Sequence, residues 1–184
     1  MTITYSQIVT IPFLGGLKNA HAFITKAYEH AKTNNIDPEE YLSARLFPDM
    51  LTFTEQVYRF TDNAKFVPFR VNPEIEALSL PDVEKTFPEL LERIEKTIKY
   101  FETIDTSKLD GQEDSEVVLQ VGSRGVQIDF VGLNYLLNYA QPNFWFHITT
   151  AYDILRHKGV PLGKLDYLNG AGVIKFSALP PKPE

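Results

Sequence analysis

Four stretches of this chain repeat their apolar residues at steps of three and four. That is the period of a helix with one buried face, and it restricts the fold more than any other feature. In the first stretch Leu14, Leu17, His21, Ile24, Tyr28 and Ala31 keep the step, with Pro12 near the start and Asn34-Asn35 at the end. The second runs from about Asp49 to Lys65 on a stripe of Phe53, Val57, Phe60 and Ala64. The third opens at Thr86, with Pro88 and Glu89 in its first turn, and continues through Leu90, Ile94, Ile98 and Phe101. Its other face, with Glu92, Arg93, Glu95, Lys96 and Lys99, reads as solvated. The fourth runs from about Gly132 to Lys158, and Gly159 is a natural residue to end it. Pro142 lies inside this last helix, where it is expected to kink the rod and free a carbonyl one turn earlier.

Shorter signals fill the gaps. Asp37-Pro38-Glu39-Glu40 reads as the start of a short helix that stops near Pro48. Residues 66–85, with Pro68, Pro73 and Pro81, read as a loop. Val117, Leu119 and Val121 alternate, as do Val126, Ile128 and Phe130, around Gly122-Ser123-Arg124-Gly125. This is the pattern of a β-hairpin, which must pack on the helices to be stable. Together these elements predict an all-α four-helix bundle with a short β-hairpin before the last helix. The bundle is expected over residues 1–169. Residues 170–184, whose end is proline-rich, are expected to be extended or disordered.

Composition narrows the function. With 184 residues and 23% charged side chains, the chain has the balance of one globular domain. Its net charge of −6 argues against nonspecific nucleic-acid binding. It has no cysteine, which removes disulfides, thiolate catalysis and thiolate metal ligands. No apolar run reaches the length of a membrane span, and the N-terminus lacks a secretory pattern, so a cytoplasmic protein without membrane contact is expected. Glycine-rich phosphate loops, zinc-protease and nucleophile-elbow motifs are absent.

A ligand site in a bundle forms from polar side chains that face inward. His147 leads these, in Asn143-Phe144-Trp145-Phe146-His147, and Asn143 lies one turn before it on the same face. The alternative is a packed histidine satisfied by Asn143 or a tyrosine. Gln56 sits at the centre of the stripe Asp49, Phe53, Gln56, Phe60 and Asn63. If buried it needs a partner, for which the His147 group is a candidate; otherwise it is exposed on the stripe's edge. Asp49 reads mainly as a helix cap, and Asp62 as a polar residue at the bundle end. His21, on the first stripe, could add a second imidazole or simply be packed. His30 and His157 read as surface residues near helix ends.

Two blocks carry a resemblance. Ala44-Arg45-Leu46-x-Pro48-Asp49-Met50, followed by Gln56 and Asp62-x-Ala64-Lys65, is one. The other starts at Pro142-Asn143-Phe144-x-Phe146-His147 and continues through Thr149-Thr150-Ala151-Tyr152 to Gly159-Val160-Pro161-Leu162-Gly163-Lys164. Over about residues 5–168 the chain resembles the domain-of-unknown-function 1993 family, itself similar to the DinB/YfiT-like superfamily. The resemblance implies a DinB-like four-helix bundle and a homodimer. It also implies a site where the superfamily often binds a divalent metal through three histidines, some members being thiol-dependent transferases or isomerases. The matching positions here are Gln56, Asn143 and His147, of which only the last is a histidine. One imidazole with two amides makes a poor zinc or nickel site, so no cofactor is expected.

The function expected from these residues is metal-free acid/base chemistry on a small molecule inside the bundle. The reaction would be an isomerisation, dehydration or cyclisation of a largely apolar substrate bearing a carbonyl or hydroxyl. His147, Asn143 and Gln56 are the candidate catalytic residues. Asp49, Phe53, Phe60, Phe144, Trp145, Tyr152 and His21 are candidates to bind the substrate. The alternatives are a metal-dependent transferase of the superfamily type and a non-catalytic dimeric binding or scaffold protein.

Overall fold

In a computed structural model that describes residues 2–121 and 125–177, the four periodic stretches are four long helical segments. Helix α1 spans Tyr5–Thr33, α3 Phe53–Val71 and α4 Phe87–Thr103. The fourth segment is a composite of α5 (Gly132–Tyr135), a π turn (Leu136–Ala140) and α6 (Gln141–His157). A short α2 (Glu39–Leu42), the hairpin β1 (Glu116–Val121) and β2 (Val126–Val131), and a final α7 (Lys164–Asn169) complete the fold. Helix α1 packs on α4 and α6, and α3 packs on the same two, which closes a four-membered bundle. No helix among the described residues is long and apolar enough to cross a membrane.

The core is aromatic. Phe13, Phe53, Phe60, Phe87 and Phe144 are completely buried. Phe144 lies with its ring centre 4.7 Å from Phe13 and 6.4 Å from Phe60, so one ring of α6 ties α1 to α3. The antiparallel hairpin pairs Glu116 with Val131 and Leu119 with Ile128. It packs on the bundle through Val117 and Leu119, both buried. The expected turn at Gly122–Arg124 lies outside the described residues, as does the tail from Ala178.

Several boundaries differ from expectation. Helix α1 begins well before Leu14, at a capping box in which Thr4 accepts from the Gln7 backbone and Gln7 reaches back to Thr4. Pro12 is therefore interior, and it cannot donate to the Ile8 carbonyl one turn back. Gln141 supplies the missing donor, its Nε2 reaching Ile8 O at 3.2 Å. Helix α3 starts at the Thr52–Glu55 capping box, so Asp49 is not its cap but an exposed turn residue. The same helix runs through Pro68 to Val71, and the loop expected from residue 66 begins only at Asn72. The short α2 ends at Leu42, well before Pro48. Around Pro142 the rod widens into the π turn, with Gln141 N bonded to Leu136 O.

The largest correction is Arg93, whose side chain is fully buried rather than solvated. The loop after α3 folds over α4 and, together with α3 itself, surrounds its guanidinium with acceptors. Asp62 lies at 2.8 Å, Asp82 at 2.9 Å and Glu84 at 3.1 Å. The Pro81 carbonyl and the Thr61 hydroxyl accept from it as well. Lys65, nearly buried, adds a second cation at 2.7 Å from Asp62 and donates to Leu80 O. Charges removed from water this way persist because each buried nitrogen has an acceptor. The network fastens the loop to α3 and α4.

Candidate functional site

A polar cluster lies on the seam between α3 and α6. Its support begins in the irregular segment before α3. Arg45 donates through one Nη to the carbonyls of Pro48 and Met50, which folds residues 44–52 into a compact turn. The Phe53 N–H closes that turn on the Ala44 carbonyl at 2.8 Å. These bonds fix the Leu51 carbonyl at the mouth of α3, where the Gln56 Nε2 donates to it at 3.2 Å. Gln56 is 1% exposed, so its other amide atom also needs a partner. That partner is His147, whose Nδ1 lies 2.6 Å from Gln56 Oε1.

His147 is half-buried on α6. Burial pushes its pKa down to about 4, and the positive charge of Arg59 pushes in the same direction. The imidazole is therefore neutral at neutral pH. One turn earlier, the Asn143 Nδ2 donates to Asn63 Oδ1 at 2.9 Å, and Asn63 in turn donates to the Arg59 carbonyl. Two bonded pairs thus bridge α3 and α6, Gln56 with His147 and Asn63 with Asn143.

The other candidates are placed elsewhere. Phe53, Phe60 and Phe144 are core residues packed ring against ring, with Phe53 5.6 Å from Phe87. Trp145 and Tyr152 stand on the side of α6 that meets α7, 6.3 and 5.6 Å from Tyr167. Asp49 is exposed in the turn before α3. His21 pairs at 3.1 Å with Glu95 of α4, both partly exposed, and belongs to the α1–α4 contact. His30 is half-buried, within 3.0 Å of the Tyr41 hydroxyl, not a free surface residue. Sequence reasoning did not single out Arg45, Leu51 or Arg59. Arg45 stood in the quoted block without a role, and a backbone carbonyl such as that of Leu51 carries no residue signal.

Two surface cavities lie away from this seam. A groove of about 550 Å³ runs between residues 74–79 and the end of α4, lined by Ile75, Leu78, Tyr100 and Ile104. A shallower depression of about 290 Å³ is lined by Thr149, Tyr152, Asp153, Lys164 and Tyr167. Neither is lined by an imidazole. The first is edged by Glu74, Glu76, Asp105 and Lys108, side chains that suit a solvated surface. The seam and not the grooves is the candidate site, because of these places it alone holds a half-buried imidazole fixed in one orientation by a buried partner.

Comparison with known proteins places this geometry. Residues 5–168 match the model of a family described as a domain of unknown function (DUF1993). The chain belongs to this family. It is also similar to a crystal structure of a DinB family member protein from Shewanella denitrificans, at 32% identity and a TM-score of 0.81, with 95% of each chain covered. No curated protein matches. The DinB-like fold of this DUF1993 protein is therefore shown over nearly the whole chain.

The metal that the superfamily resemblance implies does not fit the residues present. Among the described residues no group of three histidine, aspartate or glutamate side chains is placed to hold a metal ion. At the three corresponding positions, His147 is the sole imidazole. The Gln56 oxygen faces its Nδ1, and the Asn143 amide is engaged with Asn63. Neutral amides are weak ligands for zinc or nickel, so this donor set does not suit either ion.

Proposed function

We propose that this DUF1993 protein is a small-molecule enzyme in which His147 is the acid/base. The observation that carries the reading is a neutral, half-buried imidazole whose Nδ1 side is held by a buried glutamine anchored to the backbone. Such a ring takes up a proton without first losing one. Asn143 lies one turn away and keeps its Oδ1 and one N–H for a substrate carbonyl or hydroxyl. Gln56 holds the ring. The substrate is largely apolar, as suits the exposed Phe146 beside the imidazole, with ring centres 5.2 Å apart. The reaction is an isomerisation, dehydration or cyclisation, with no redox cofactor and no metal.

Thermal-shift screening of a library of apolar ketones, enols and phenols, run on the wild type and on His147→Ala, tests this reading. Compounds that stabilise the wild type and lose their effect in the variant support it. Stabilisers that act equally on both overturn it, as does stoichiometric divalent metal that the variant loses.

A second reading is a dimeric binding protein without catalysis. Phe47 and Phe146 favour it, being 64% and 56% exposed on or next to the elements that build the seam. Under that reading His147→Ala leaves ligand stabilisation unchanged, and the double variant Phe47→Ser, Phe146→Ser alters self-association.

A further inference from the structure

The orientation of the Gln56 amide has a chemical consequence for the far side of the His147 ring. A glutamine amide has one accepting end and one donating end. The Leu51 carbonyl can only accept, so the end of Gln56 facing it, at 3.2 Å, must be the NH₂ group. The reversed amide would set two oxygens against each other in a site where Gln56 is 1% exposed. The Oε1 is thereby committed to His147 Nδ1 at 2.6 Å, and that nitrogen must carry the ring proton. The Arg45 bonds to Pro48 and Met50 hold the turn that presents Leu51.

We infer that the Leu51 carbonyl, acting through Gln56, locks His147 as the Nδ1–H tautomer, so that Nε2 presents only a lone pair. The inference rests on the acid/base reading of His147 and narrows it. The resting ring is a hydrogen-bond acceptor and a base, so the first proton moves from substrate to Nε2. The ligand class is a neutral molecule that offers an O–H, an N–H or an acidic C–H. A carboxylate, which offers only acceptors, is disfavoured at Nε2. Gln56 is a positioning residue: it acts on the substrate only through the ring.

A long-range ¹H–¹⁵N correlation spectrum of the imidazoles tests the lock. It is recorded at neutral pH on the wild type, on Gln56→Leu and on Gln56→Glu. The wild type is expected to show His147 with a protonated Nδ1 and an unprotonated Nε2, in about tenfold excess or more over the other tautomer. Gln56→Leu removes the acceptor and is expected to shift the ring toward Nε2–H, whereas Gln56→Glu keeps an acceptor and restores Nδ1–H. A wild-type spectrum with Nε2–H, or with an even mixture, overturns the inference, and it does so even if both variants fail to fold. The two ideas fail separately. Ligands that stabilise wild type and His147→Ala alike would end the enzymatic reading while the tautomer lock stood.

Discussion

The side-chain amide of Gln141 donates to the Ile8 carbonyl across the α1–α6 contact, replacing the N–H that Pro12 lacks. A proline inside a helix ordinarily leaves that carbonyl to water or bends the rod. Here the first residue of α6 completes the ladder of α1. Replacing Gln141 by Leu should therefore cost about 1 kcal/mol of stability. In a Pro12→Ala background, where the backbone donor returns, the same change should cost clearly less. Urea denaturation of the four proteins as a double-mutant cycle reads this coupling. Equal costs in both backgrounds would refute it.

Arg93 should dominate the stability of the loop after α3. Arg93→Leu leaves Asp62, Asp82 and Glu84 facing one another with their principal counter-ion removed. Loss of one partner in a buried network of this kind costs about 3–5 kcal/mol. Lys96→Leu breaks only the exposed pair with Glu92, on the solvated side of the same helix, and should cost little. Comparable denaturation midpoints for the two variants would show that the Arg93 network does not hold the loop.

His147 should give a pH dependence of definite sign. Its pKa falls from 6.5 in the unfolded chain to about 4 in the folded one, chiefly through burial and secondarily through Arg59. Between those values the unfolded state binds more protons, so stability falls as the pH is lowered. The contribution is fully present above 6.5, fades toward pH 4 and is flat below. Melting temperatures of the wild type and His147→Gln, taken as a difference, isolate it from the carboxylates. A difference that stays constant from pH 7 to pH 4 would contradict the depressed value.

Much of the fold was legible because its signals are local. The Thr86–Glu89 box, the alternation of Val117 and Leu119 and the glycine at 159 each act within a few residues. The contact between Gln56 and His147 could be anticipated because both lie on apolar stripes and each needed a partner. Other features depend on residues far away in sequence. Arg93 sits among charged neighbours, and only the folding of residues 80–84 across α4 reveals that it is buried. Pro12 and Pro68 suggested helix ends, yet tertiary packing carries both helices past them, and Gln141 repairs the first break. Thr52–Glu55 did carry a local capping signal, which the earlier Asp49 obscured. The roles of Arg45 and Leu51 could not be read, because they act through carbonyl groups that every residue possesses.

The central claim is that a small molecule meets this protein at the free edge of the His147 ring. The chain has four histidines, so a ¹H–¹³C spectrum of the Cε1–H groups holds one resonance for each. Titration with a stabilising phenol or enol from the thermal-shift screen is the most direct measurement. The account predicts that the His147 resonance moves with saturation while those of His21, His30 and His157 stay in place. A His147 signal that stays fixed while the protein binds the compound would contradict it.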